Sequence, residues 1–414
     1  MASRMRLRGP AELLSAMPYL MGFHPTDSLV ALGLRGSGLH VQLRGDLPGD
    51  LPGDRDAGEV LAEHYAGLFS RNGIDGALLI GYGPPGRAEP FLRAVAAALE
   101  RSGIALLDML RTHEGRYWSL LCAAPGCCPP EGRAFDPTTS LVAAEATLAG
   151  LVALPDRAAV AAAFAGPHGP ALDAMEEAGN RANLRVLRLV AGRDAAAIRA
   201  LLAGAGRAAL DLALARYGEG GRLTDDEVAW LQVLLHVVTF RDRAWERLDR
   251  DVRRAGHLGE AHRRLWTDLV RRCEPASVAP AATLLSYLSW RAGNGLHASL
   301  ALDRALDADP DYSAAGLMAE ILGRGLSPGQ VPPIAPTRRR RRPPGRPRRS
   351  VDRPRRGPMR HAEPGKGRVT EPAKGRAIEL GKGRVSEPGK GEPRGEARPD
   401  RAVSPGRDER RRRR

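Results

Sequence analysis

The first 336 residues contain no lysine, and the last 78 contain no Phe, Tyr or Trp. In a stretch dense in Arg, Pro and Gly, the missing aromatics exclude a packed core, because too little apolar surface remains to offset the entropy of ordering the backbone. Cysteine is scarce, at four in 414 residues, which excludes a disulfide-stapled secreted scaffold. No apolar run approaches the roughly 18 residues of a membrane span. Arg4, Arg6 and Arg8 precede an apolar stretch from Ala11 to Phe23, but Glu12 and Pro18 interrupt it and no small-residue cleavage site follows. A secretory leader is therefore not expected, and a reducing cytoplasm is the expected home. The missing lysine, beside heavy use of Ala, Arg, Gly and Pro, reads as pressure on coding composition and says nothing about function.

The charge that is present divides unevenly. The chain carries +15 overall, yet residues 337–414 hold 28 Lys+Arg against 10 Asp+Glu, leaving 35 against 38 in residues 1–336. The attraction to polyanions thus lies in an appendage on a slightly acidic body. Within that appendage EPGKGRVT (Glu363–Thr370), EPAKGRAI (Glu371–Ile378), ELGKGRVS (Glu379–Ser386) and EPGKGEPR (Glu387–Arg394) repeat at a period of eight. This period fits neither a heptad seam nor a solenoid unit of 20 or more residues. Residues 331–414 are expected to form a disordered Arg/Pro/Gly-rich tail with octapeptide repeats. The runs Arg338–Arg342 and Arg410–Arg414 suit phosphate, so residues 338–414 are candidates for sequence-independent, salt-sensitive binding of nucleic acid or another polyanion. A solubilising extension with no partner is the competing reading, and composition does not separate the two.

Residues 1–135 read as an α/β domain with a mixed sheet in β-β-α-β-α-β-β order. Ser28–Leu34 and Leu39–Arg44 flank a Gly-rich turn, Glu59–Ser70 has helical spacing, and Ala77–Tyr82 is a continuous apolar strand. Pro90–Arg101 reads as a helix with Pro in its first turn, Ile104–Leu110 as a strand, and Arg116–Cys122 as the return arm of a hairpin. Residues 136–330 read as all-helical. Thr224-Asp225-Asp226-Glu227 is a capping box opening an apolar run through Phe240, expected to be a buried central helix in which His236 packs into the core. Gly293, Ala298, Leu302, Ala305 and Pro310 have the spacing of one tetratricopeptide-like helical hairpin, with Ala282 and Ser289 where the first helix normally carries aromatics. A peptide groove for a protein partner is one use of such a hairpin. A single copy does not make a solenoid.

Three constellations invite chemistry. Gly81, Gly83 and Gly86 fit G-x-G-x-x-G after a strand, with Asp108 22 residues beyond as a ribose-binding acid. Against this, Pro84 and Pro85 remove two N–H donors that should cradle pyrophosphate, so a structural turn is favoured and no cofactor is expected. Cys122, Cys127 and Cys128 lie within seven residues, but their spacing lacks a C-x-x-C knuckle and a fourth ligand, with Cys273 remote. Structural thiols are favoured over a redox pair or a metal site. His24, Asp27 and Ser28 suggest a hydrolase cluster, yet no G-x-S-x-G elbow frames Ser28, and Asp or Ser before a strand commonly serves a turn. Arg241-Asp242 reads as a helix-terminal ion pair.

Leu7-Arg8-Gly9-Pro10-Ala11-Glu12-Leu13-Leu14, Gly22-Phe23-His24-Pro25-Thr26-Asp27-Ser28-Leu29-Val30, Gly115-Arg116-Tyr117-Trp118-Ser119 leading to Cys122 and Cys127-Cys128-Pro129, and Phe240-Arg241-Asp242 together resemble an actinobacterial family, domain of unknown function 4192. The resemblance covers residues 5 to 330 and leaves out the tail. It implies a bacterial origin and no particular activity. The expected function is a non-enzymatic interaction or scaffold protein whose tail adds polyanion affinity. The alternative is an enzyme or small-molecule sensor with its site near Gly22–Ser28 and the Gly81–Gly86 loop, at strand ends.

Overall fold

Strand β1 (Ser28–Arg35) is apolar along most of its length and buried on both faces, as a strand covered from two sides must be. In the computed structural model, which describes residues 9–49, 52–254 and 257–334, it sits inside a six-stranded mixed sheet. The partners are β2 (Gly38–Asp46), β3 (Gly76–Tyr82), β4 (Ala105–His113), β5 (Arg116–Ser119) and β6 (Arg133–Ala134), in the order β2-β1-β3-β4-β5-β6. Only β3 and β4 run parallel, and α3 (Pro85–Arg101) makes the crossover between them. All other neighbours are antiparallel. Gly36, at φ 56°, supplies the left-handed residue in the tight β1–β2 turn, and its N–H donates to Asp75 Oδ2 at 3.0 Å.

Side chains alternate across the sheet, so each face has its own core. Leu29, Ala31, Ala77, Leu79 and Met109 face α2 (Pro52–Arg71) and α3, where Tyr65, Phe69, Phe91, Leu92, Val95 and Leu99 cover them. Val30, Leu32, Ile80 and Leu110 face the other way, against Leu14 and Met17 of α1 (Pro10–Met21). That second core continues without a break into the helices that follow.

Those helices are α4 (Leu141–Leu148), α5 (Arg157–Ala162), α6 (Pro170–Val190), α7 (Ala195–Gly218), α8 (Asp225–Leu235), α9 (Val238–Arg253), α10 (His257–Arg272), α11 (Ala279–Arg291), α12 (Gly295–Ala308) and α13 (Ser313–Gly323). The capping box of α8 is present, with Thr224 Oγ1 accepting from the Glu227 N–H at 3.3 Å and Glu227 Oε2 accepting from the Thr224 N–H at 2.8 Å. The helix nevertheless stops at Leu235, and a turn separates it from α9. His236 caps this end and is exposed, which corrects the expectation of a packed core histidine. The helix buried at every position from Ala279 to Trp290 is α11. Small residues allow that closeness: Ser286 Oγ donates to the Ala298 carbonyl at 2.8 Å, and Ala298 and Ala305 of α12 are fully buried. Arg241 and Asp242 form an ion pair at 2.7 Å in the first turn of α9.

The buried carboxylate of Asp249 is fully engaged. Asp249 accepts from the Tyr287 hydroxyl (2.6 Å), Arg253 (2.9 Å) and the Ile334 N–H (3.0 Å), and pairs with Arg291 at 3.1 Å. Burial alone would raise its pKa, but these donors outweigh burial and hold the carboxyl below its ordinary range. Arg291 also donates to the Pro328 carbonyl at 2.6 Å, so this centre straps the segment after α13 against α9 and α11. The tail assigned to residues 331–414 lies, from residue 335 on, outside the described residues. Among the described residues no helix is long and apolar enough to cross a membrane.

Candidate functional site

The parallel pair ends at Tyr82 on β3 and at His113 on β4, and a cavity of about 490 Å³ opens just beyond. This is the place where open α/β sheets hold ligands, outside the carboxyl ends of parallel strands. Three connections build it. The loop entering β1 contributes His24 to Asp27, the ends of β3 and β4 contribute Tyr82, Gly83, Thr112, His113 and Glu114, and α1 closes one side with Leu14 and Pro18.

Each connection is fixed locally. Gly22 ends α1 in the left-handed conformation (φ 80°), after which His24 N–H donates to the Leu154 carbonyl (3.0 Å) and Leu154 N–H donates to the Gly22 carbonyl (2.8 Å). Asp27 is itself left-handed at φ 42°; its carbonyl accepts from Leu47 N–H (2.9 Å) and its carboxylate from Arg87 of α3 (2.9 Å). On the other side His113 pairs with Arg116 around a two-residue turn in which Glu114 (φ 48°) and Gly115 (φ 71°) both have positive φ. Such turns match the twist of a hairpin and favour Asn-Gly or Asp-Gly. A glutamate there costs on the order of 1–2 kcal/mol in backbone strain. Asp27 and Glu114 are the two non-glycine residues with positive φ among those described, and both line this cavity.

The interior is mostly apolar and close to neutral. Arg87 offsets Asp27, and His113 Nε2 lies 3.7 Å from Glu114 Oε1. The unusual groups are two hydroxyls. Ser28 and Tyr82 are directly opposed in the β1–β3 ladder, so their side chains leave the same face of the sheet. Both hydroxyl oxygens are buried, and neither has a hydrogen-bond partner among the described residues. Burial drives the Tyr82 phenol above its ordinary pKa, so the proton stays on.

Of the three residues suspected of hydrolysis, His24 and Asp27 line the cavity, whereas Ser28 lies wholly beneath the surface and meets no base. Asp27 is committed to Arg87. The glycine motif is placed differently from the sequence expectation, because α3 begins at Pro85 and takes Pro84 as N-cap, with Pro90 inside it. Pro85 meets the rule for a first-turn proline equally well, and Gly86 after it faces open space. Gly81 is explained by packing, since a Cβ there would lie 2.8 Å from Leu92 Cδ1. Arg87 and Ala88 N–H already donate to the Pro84 carbonyl at 3.2 and 3.0 Å, which leaves few donors for phosphate. Asp108 sits mid-strand, accepts from Ser119 Oγ at 2.8 Å, and does not line the cavity.

The three cysteines do come together. Cys122, Cys127 and Cys128 place their sulfurs within 4.8 Å of one another, all as free thiols, while Cys273 is buried elsewhere. Hydrogen bonding from Cys128 holds Cys122 below the ordinary thiol range, and the same contact pushes Cys128 up to about 11. Sequence reasoning missed Tyr82, Arg87 and Glu114. The available signal for Tyr82 was a polar-tipped aromatic closing an otherwise apolar strand, GALLIGY.

A family model described as Domain of unknown function (DUF4192) matches residues 10–329. No curated protein and no solved structure matches the chain.

Proposed function

Because the chain belongs to the DUF4192 family, whose description names no activity, we propose from the geometry that its α/β part binds a small, largely uncharged organic molecule in the cavity beyond β3 and β4. One observation carries this reading: Tyr82, whose buried hydroxyl has no partner, lines an apolar cavity, and Ser28, equally unpaired, stands beside it on the same face of the sheet just behind that wall. A buried polar group left unpaired costs about 1–3 kcal/mol, and a ligand with a matching donor or acceptor at that wall removes the cost. The reading is binding rather than catalysis, since no base contacts Ser28 and Asp27 is neutralised by Arg87. On this view residues 1–135 hold the ligand, and residues 136–330 transmit or present the bound state. A protein partner would then meet the exposed faces of the helical part rather than α11 of the tetratricopeptide-like pair, which is enclosed, and four free thiols fit a reducing cytoplasm.

Native mass spectrometry of the full chain, compared with the same sample denatured, tests the proposal. A co-purified mass is expected that disappears in Thr26→Trp, which fills the mouth from an exposed position. A bare polypeptide mass for both proteins would refute it.

The tail carries a second reading, supported by the charge arithmetic alone: residues 338–414 tether the body to polyanions without reading sequence.

A further inference from the structure

The thirteen-residue connection from Leu120 to Gly132 joins β5 to β6 and holds the three surface cysteines. It is a built loop. Ala124 C=O accepts from both Cys127 N–H (3.0 Å) and Cys128 N–H (2.7 Å), which folds the adjacent cysteines back toward Cys122. Trp118 Nε1 donates to the Pro130 carbonyl (2.9 Å), Arg116 to the Gly132 carbonyl (3.0 Å) and Arg133 to the Gly126 carbonyl (3.3 Å), pinning the loop to both strands. The Trp118 ring lies under the Arg111 guanidinium at 3.6 Å, which fixes the anchor in turn.

We propose that this loop binds one thiophilic d10 cation, Zn²⁺ or Cu⁺, through the thiolates of Cys122, Cys127 and Cys128. The spacing argument against a metal assumed a four-ligand knuckle, and a three-thiolate site needs no fourth protein ligand. Metal–sulfur bonds of about 2.3 Å set the sulfurs of such a site about 3.8–4.0 Å apart. Cys127 and Cys128 already stand 3.9 Å apart, and no pair in the trio exceeds 4.8 Å, so closure requires shifts of under 1 Å. Entry is open, because Cys127 is exposed and its two partners are partly so. Three thiols give up three protons as three metal–sulfur bonds form, leaving a net charge of −1 with Zn²⁺ or −2 with Cu⁺. With Zn²⁺ a water completes the tetrahedron, whereas Cu⁺ is satisfied by three sulfurs.

The test uses the full chain, reduced and purified anaerobically, stripped with a chelator and titrated separately with Zn²⁺ and with Cu⁺ against a chromogenic competitor. One ion per chain is expected with at least one of the two, and the arm that binds more tightly identifies the cation. Cys127→Ser and Cys122→Ser should each weaken uptake at least tenfold, and Cys273→Ser should leave it unchanged. Cys127 is exposed, so its replacement leaves the fold intact, as circular dichroism will show. No uptake of either ion by the reduced protein, or equal uptake by the Cys122/Cys127/Cys128 triple serine variant, would overturn the proposal. A disulfide within the trio without metal uptake would replace it with a redox role.

Discussion

Replacing Tyr82 with Phe removes one oxygen and keeps the ring that packs against the sheet. In most buried tyrosines this substitution is destabilising, because the hydroxyl has a partner. Here it has none among the described residues, and the phenol stays protonated at every pH of interest. The ring contacts of Tyr82 with the core survive in Phe, so the substitution relieves an unpaired buried group at no packing cost. The expected result in the ligand-free protein is a gain of about 1 kcal/mol, read as a higher urea midpoint with an unchanged slope. With the co-purified ligand retained, the order reverses: wild type gains stability from its ligand and Tyr82→Phe gains less. Chemical denaturation before and after exhaustive dialysis under mild denaturant separates the two states. A loss of more than about 1 kcal/mol in the ligand-free state would show that the hydroxyl is already satisfied, and the argument for the cavity would fall with it.

Two further outcomes are expected. Trp266 Nε1 donates to His262 Nδ1 (3.1 Å), so the neutral ring carries its proton on Nε2, facing Asp251 Oδ2 at 3.2 Å. Burial holds His262 below its ordinary pKa despite Asp251, and burial lowers His297 likewise. The unfolded chain then binds more protons, so stability is full above about pH 6.5 and falls as pH drops through it, by at most about 1.4 kcal/mol per unit for each histidine. Urea unfolding at pH 7.5 and 5.5 should show that loss, and His262→Gln, which keeps one donor and one acceptor, should lessen it; equal stability at the two pH values would refute the assignment. For the tail, fluorescence anisotropy with two unrelated DNA duplexes should show binding by the full chain that weakens about a thousandfold or more between 50 and 200 mM salt. The chain truncated after Pro336 should bind neither duplex, and sequence-selective binding by that truncated chain would move nucleic-acid recognition into the body.

How far these features could be read beforehand depends on whether a local rule decides them. The β1–β2 hairpin and the Thr224 capping box rest on a few consecutive residues, and both stand where the residues put them. Where two local rules compete, the outcome is set elsewhere. Pro85 and Pro90 each qualify as a first-turn proline, and the earlier one prevails because Gly81 lets α3 approach β3 closely. The apolar run from Val228 to Phe240 conceals the turn after Leu235, since both helices it joins bury apolar faces against the same core. Likewise nothing in APAATLLSYLSWR marks α11 as the most enclosed helix, because that burial is imposed by α10, α12 and α13. The cysteine loop is the instructive case. Spacing along the chain measures reach for an extended or helical backbone, and by that measure adjacent cysteines point apart. Two N–H groups converging on one carbonyl at Ala124 change the measure, and the ligand geometry then depends on a turn that no spacing rule encodes. The same holds for Ser28 and Tyr82, 54 positions apart, whose shared face is a consequence of antiparallel register. In this chain the candidate residues are those brought together by register and turn, so the candidate site becomes visible only once the sheet has been assembled.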